Sequence, residues 1–175
     1  MEVIKKNGIK FGLLLGIFSI LATTLMYTID LKLFVNIWIG LVLFFVSLSI
    51  GIVSVAQSKK QIGGFITFKE AFTAFFITMA IGLALNILFS ILLFNVIDPN
   101  AALTIRENIV EYTVNMLQKA GTPAAKIKEQ IETMRSTNSY SIGNQIQSYF
   151  WFLLFYIIVG LLVAVALRNK TSQDK

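Results

Sequence analysis

Gly8-Ile-Lys-Phe-Gly12-Leu-Leu-Leu-Gly16-Ile-Phe-Ser19-Ile-Leu-Ala-Thr23 opens the first apolar run of the chain, and its reading decides the fold. The small residues recur at steps of three and four. Helical geometry therefore lines them up in one smooth stripe along which a second backbone can approach closely. Packing inside a bundle of the chain's own helices is the simpler use of such a stripe, and homodimerisation is the other. Gly160 and Ala164 repeat the spacing near the end of the chain. Neither use implies catalysis.

Outward from this stretch the sequence is too apolar for an ordinary soluble domain, being 56% hydrophobic and only 14% charged. The apolar residues also fall into four long runs, each of the length that crosses a bilayer. The expected spans lie at about 11–29, 33–56, 68–97 and 147–167. Lys5, Lys6 and Lys10 before the first run resemble the start of a signal peptide. The run is longer than a signal core and no A-x-A-like site follows it, so it is read as a retained span. Asp30 and Lys32 mark a tight polar turn between the first two spans, because neither charge is tolerated in hydrocarbon. Thr67-Phe-Lys-Glu70 fits a capping box and sets the start of the third span near Phe68. That span is longer than a hydrocarbon core of about 30 Å requires, so it must tilt or protrude.

Asp98-Pro99 ends the third span, and a polar segment follows. From Ala101 to Ala120 the pattern is that of an amphipathic helix with a broad apolar face. Leu103, Val110, Val114 and Leu117 share one row, and Ile105, Ile109, Tyr112 and Met116 the next. Gly121-Thr122-Pro123 reads as a stop, a new cap and a proline in the first turn. A shorter helix follows, so an amphipathic two-helix hairpin is expected at about 99–137. The fold class is thus all-α: an integral membrane four-helix bundle with an extracytoplasmic hairpin between spans three and four.

Charge sets the expected orientation. With four spans, one side holds Lys5, Lys6, Lys10, Lys59, Lys60, Lys69, Arg168, Lys170 and Lys175. On the other side Lys32 stands against Asp30, and the basic residues of the hairpin are matched in number by its acidic ones. Both termini are therefore expected in the cytoplasm, with Tyr27, Trp38, Tyr140, Tyr149 and Trp151 forming an aromatic belt at the outer boundary.

Four spans, the run Gly63-Gly64-Phe-Ile-Thr-Phe-Lys-Glu-Ala71, the Asp98-Pro99 stop and the helical stretch around Gly121–Glu132 together resemble a family of small bacterial membrane proteins of unknown function. The resemblance covers nearly the whole chain. It implies a four-span protein of the bacterial inner membrane and supplies no activity, cofactor or catalytic residue.

The sequence contains no cysteine and no histidine, which removes thiolate and imidazole chemistry. Its net charge of +6 flanks apolar runs instead of lining a polar face, so no nucleic-acid partner is expected. Glu107 and Glu111 lie one turn apart, but a hard cation needs more oxygen ligands than these two. No metal, cofactor or catalytic residue is expected. Asn86, near the middle of span three, either bonds another helix or lines a path for a polar solute. Arg106 interrupts the apolar face of the hairpin, where it reaches water, a lipid phosphate or a carboxylate such as Asp98. Arg106, Ile109, Tyr112 and Met116 are the candidate contacts to lipid or a partner. The leading reading is a non-enzymatic membrane protein whose hairpin caps the bundle or docks a partner, with the lipid bilayer and a homo-oligomer or another membrane protein as its partners. The alternative is a passive, oligomeric channel or small-solute transporter. An enzyme is the least expected class.

Overall fold

The computed structural model describes residues 1–169. Lys170 and Lys175, two of the cations counted toward orientation, lie outside the described residues. Six α-helices and no strands make up the described chain. Helix α1 (Glu2–Ile29) carries the first span and begins well before its apolar run, with Glu2 in the first turn where an acidic side chain complements the helix dipole. Asp30 stops it in extended backbone and accepts a hydrogen bond from the Lys32 amide at 2.8 Å. A single 3₁₀ turn, Leu31–Val35, follows.

Helix α2 (Ile37–Gln61) starts four residues later than expected, because Asn36 takes the cap position and accepts from the amides of Trp38 and Ile39. It also runs past Ala56, carrying Lys59 and Lys60 in its last turn, where cations offset the exposed carbonyls. Gly63 and Gly64, both at positive φ, turn the chain back. Helix α3 (Phe68–Leu92) opens on the complete capping box of Thr67 and Glu70. It continues as one widened π turn, Leu93–Ile97, closed by the Asp98 amide on the Leu93 carbonyl at 2.8 Å.

Asp98 then caps α4 (Pro99–Lys119), accepting from the Ala101 amide at 3.1 Å. Gly121, at φ 73°, ends that helix. Helix α5 (Ala124–Ser136) begins one residue later than expected, with Pro123 at the cap and no side-chain cap bond. Helix α6 (Ile142–Leu167) begins five residues before the expected span, because the Ser141 hydroxyl caps it by accepting from the Asn144 amide.

Four helices, α1, α2, Phe68–Ile97 and α6, are long and apolar enough to cross a membrane. No more than 22% of the apolar window of any of them is buried within the protein. Leu13, Ile17, Leu21, Leu88, Phe150, Leu162 and many like them point outward, a surface suited to lipid and not to water. Within this group α3 is central. It packs most extensively on α1 and then on α6 and α2, whereas α2 and α6 hardly touch each other.

The end of the bundle nearest the chain termini is closely filled. Leu15, Val55, Phe75 and Met79 are buried to 2% exposure or less in one cluster with Ile4, Ile66 and Ala164. Polar side chains join the helices there: Asn7 donates to Ser58 at 3.2 Å and to Gln61 at 2.9 Å, and Thr78 donates to Ser54 at 2.9 Å. A second cluster closes the hairpin end, where Ala101, Ala102 and Ile105 of α4 meet Leu93 and Phe94, flanked by Tyr27, Leu31, Phe34, Phe89, Ile109 and Tyr140.

Candidate functional site: a capped cavity among the four spans

The close approach of α1 to α3 determines where space is left. Gly8, Gly12 and Gly16 all face α3, and a Cβ built on them would stand 2.8 Å from Ile77 Cβ, 2.8 Å from Ile81 Cβ and 2.4 Å from Leu85 Cδ1. Each four-residue step along α1 meets a four-residue step along α3, as in a parallel pair in register. Gly82 answers from α3, facing Leu15. The stripe is therefore consumed within one chain and is not offered to a second copy. Gly160 admits the Phe75 ring in the same way, with its Cδ1 at 2.8 Å from a built Cβ.

On the other flank α2 and α6 meet at an aromatic knot, where the Phe44 ring lies 5.9 Å from Phe155 and 6.2 Å from Tyr156, and again at the far end, where Lys59 donates to the Leu167 carbonyl at 3.0 Å. Toward the hairpin the two helices part. Gly40, one turn before Phe44, would meet nothing within 4 Å if it carried a Cβ. Gly40 borders a cavity of about 670 Å³, lined by α1 and α3 behind, by α2 and α6 at the sides, and by Phe34, Phe94 and Tyr140 at the hairpin end. That volume falls within the range of about 300–1,000 Å³ usual for small-molecule sites.

The cavity has apolar walls, with Phe18, Met26, Leu43, Leu83, Phe152 and Phe155 among them, and among the described residues no charged side chain lines it. Its back wall carries one polar tile: Ser19 and Thr23 on α1 beside Asn86 and Ser90 on α3. Thr23 donates its hydroxyl hydrogen to the Asn86 carbonyl oxygen at 3.2 Å. Of the other hydroxyls on the lining, that of Ser47 donates to the Leu43 carbonyl of its own helix, and that of Tyr149 donates across to the Ala80 carbonyl of α3.

The roof joins cavity and cap, since Phe34, Phe94 and Tyr140 belong to both. Phe94 sits edge-on to Phe34 at 5.7 Å and against Tyr140 at 4.6 Å. Ile105, fully buried, lies in the same cluster. Asn95 in the widened turn donates to the Tyr140 carbonyl at 3.0 Å, and Gln145 donates to it at 2.7 Å. Burial of the Tyr140 phenol pushes its pKa up to about 12. The hydroxyl of Tyr27 donates to Asp98 at 2.9 Å and so pins the start of α4 to the end of α1.

The hairpin residues singled out in the sequence are not gathered into this site. Ile109 is half-buried at the edge of the cap, while Tyr112 and Met116 are exposed farther along α4. Arg106 does not reach Asp98, whose oxygens are taken by Tyr27 and the Ala101 amide. Its Nη1 donates instead to the Arg135 carbonyl at 3.3 Å, and Arg135 in turn pairs with Glu107 at 2.9 Å. Among the described residues no group of three acidic, histidine or cysteine side chains is placed to hold a metal ion.

Asn86 stood out in the sequence as a polar residue in mid-span. The aromatic knot and the gap at Gly40 did not. A glycine in an otherwise bulky run and the cluster Tyr149-Phe-Trp-Phe-Leu-Leu-Phe-Tyr156 are their only traces. A family model described as a protein of unknown function, DUF4199, matches residues 10–169. No curated protein and no solved structure matches the chain.

Proposed function

The chain belongs to the DUF4199 family, a family of unknown function, and we propose that it is a non-enzymatic protein of the bacterial inner membrane whose hairpin caps a side-opening cavity that receives an apolar, membrane-dissolved molecule. Both termini lie in the cytoplasm and the hairpin lies outside. The basic residues Lys5, Lys6, Lys10, Lys59, Lys60, Lys69 and Arg168 flanking one end of the spans support this orientation.

The observation that carries the reading is the shared roof: the residues that seat α4 on the bundle are also those that close the cavity. A hairpin serving only as a handle for a partner protein would not need its first turns buried to this degree. The alternative of a passive channel is less well supported, because Leu15, Phe75 and Met79 fill the bundle beyond the cavity floor.

The test is to place the single thiol of Ser90→Cys at the back of the cavity and treat the protein in liposomes with a water-soluble maleimide. The cap should hold the reaction slow, and adding Ile105→Asp, which forces a charge into the buried seat of α4, should make it fast. Equal rates with and without Ile105→Asp would remove the cap from the function. Solute flux across the liposomes, lost on Asn86→Leu, would favour the channel instead.

A further inference from the structure

We propose that the cavity binds an uncharged long-chain lipid through a carbonyl oxygen held by Asn86, an inference that rests on the capped-cavity reading above and gives it a ligand class. Four observations converge on it. The walls are aromatic and aliphatic, so most of the occupant is hydrocarbon. Among the described residues no charged side chain lines the cavity, and a carboxylate or phosphate taken there would lose its hydration without compensation.

The third observation concerns donors. Thr23 satisfies the carbonyl oxygen of Asn86, which turns the amide nitrogen of that side chain away from Thr23. That nitrogen donates to no described residue, and neither do the hydroxyls of Ser19 and Ser90 on the same tile. Three unspent donor groups on one wall, at a depth where water is scarce, call for an acceptor. A carbonyl oxygen fits, since it accepts more than one hydrogen bond and brings no charge.

The fourth is the route. Helices α2 and α6 hardly touch, Gly40 of α2 borders the cavity and faces open space, and those helices turn Leu41, Val42, Phe150 and Leu154 outward, which places the mouth there. A molecule dissolved in the bilayer enters sideways without crossing water, its chain lying along Phe44 and Phe155 and its carbonyl reaching the tile behind them.

The test uses the full chain in phosphatidylcholine nanodiscs and three photoactivatable probes of equal length, each carrying a diazirine: a fatty acid methyl ester, the plain alkane and the free acid. Adducts are mapped by mass spectrometry. The ester should label the segments 40–44 and 149–156 roughly three- to tenfold more than the alkane, the factor a hydrogen bond in a membrane supplies. Asn86→Leu should bring the ester-to-alkane ratio near one while alkane labelling of the cavity persists, and Ser90→Trp, which fills the space, should abolish labelling there by both.

A ratio near one in the unchanged protein means that the cavity holds only bulk hydrocarbon, and it overturns the ligand class while leaving the cavity itself in place. Preferential labelling by the free acid overturns the requirement for an uncharged head. Labelling confined to outward-facing residues such as Leu21 and Leu162 overturns the capped-cavity reading beneath. Should Asn86→Leu fail to accumulate, the ratio in the unchanged protein still decides, and Thr23→Val, which frees the Asn86 side chain to turn, should lower that ratio. An unchanged ratio in every folded variant removes Asn86 from the site.

Discussion

Two glycines make opposite predictions because their surroundings differ. Gly12 lies against Ile81 and the Thr78 carbonyl, with a built Cβ at 2.8 and 3.2 Å, and the carbonyl belongs to a helix backbone that cannot step aside. Gly12→Ile should therefore lower stability in detergent by about 1–3 kcal/mol, the usual cost of overpacking. Gly40 faces open space, so Gly40→Ala should raise stability, by up to about 1 kcal/mol, from helix propensity alone. Thermal unfolding followed by circular dichroism checks both, and a loss at Gly40 equal to that at Gly12 would refute the assigned faces. Tyr140 offers a pH test. Its phenol titrates near 12 when docked and near 10 when free. Protonation thus favours the docked roof below pH 10, and the contribution is lost as pH rises from 10 toward 12. An alkaline phenolate absorbance step missing in Tyr140→Phe is the expected signature; a Tyr140 step near 10 would mean an exposed ring.

At the scale of the helices, what the sequence discloses depends on whether the signal is local. The Thr67–Glu70 capping box and the Asp98-Pro99 stop are written in four residues or fewer, and both stand where the spacing put them. Asn36 and Ser141 are equally local caps, but the apolar pattern begins before the first and only several residues after the second, which displaces the expected starts of the second and fourth spans. Helix contacts are harder to read. Within lipid an apolar face gains nothing by turning inward, so hydropathy does not encode which helices meet; small residues and polar pairs do. The glycine stripe therefore marks a close seam and Asn86 marks a polar contact, yet neither names α3 or Thr23 as its partner. The cavity was illegible for the same reason, being defined by two helices that stay apart. Asp98 ties three elements together, closing the widened turn, capping α4 and accepting from Tyr27. Asp98→Ala should cost about 0.5–2 kcal/mol as a lost cap and more through Tyr27. The expected outcome is faster proteolysis in the segment 99–123 with the spans still intact. Unchanged cleavage would show that the apolar seat of Ile105 holds the hairpin alone.

For the molecule as a whole, the outward-facing apolar surface, the closely packed end nearest the termini and the capped cavity at the other end form one asymmetric design. The asymmetry has meaning only if the two ends face different compartments. In the proposed orientation, with Lys59 and Lys60 in the cytoplasm, the lateral mouth falls in the outer leaflet and the roof meets extracytoplasmic water. The absence of native cysteine makes this directly measurable. Lys60→Cys in the last turn of α2 and Lys128→Cys on α5 are exposed single sites at the two ends. In intact bacterial spheroplasts, a membrane-impermeant maleimide should label Lys128→Cys at once and Lys60→Cys only after lysis. Labelling of Lys60→Cys before lysis, or of both sites on the same side, would contradict the account.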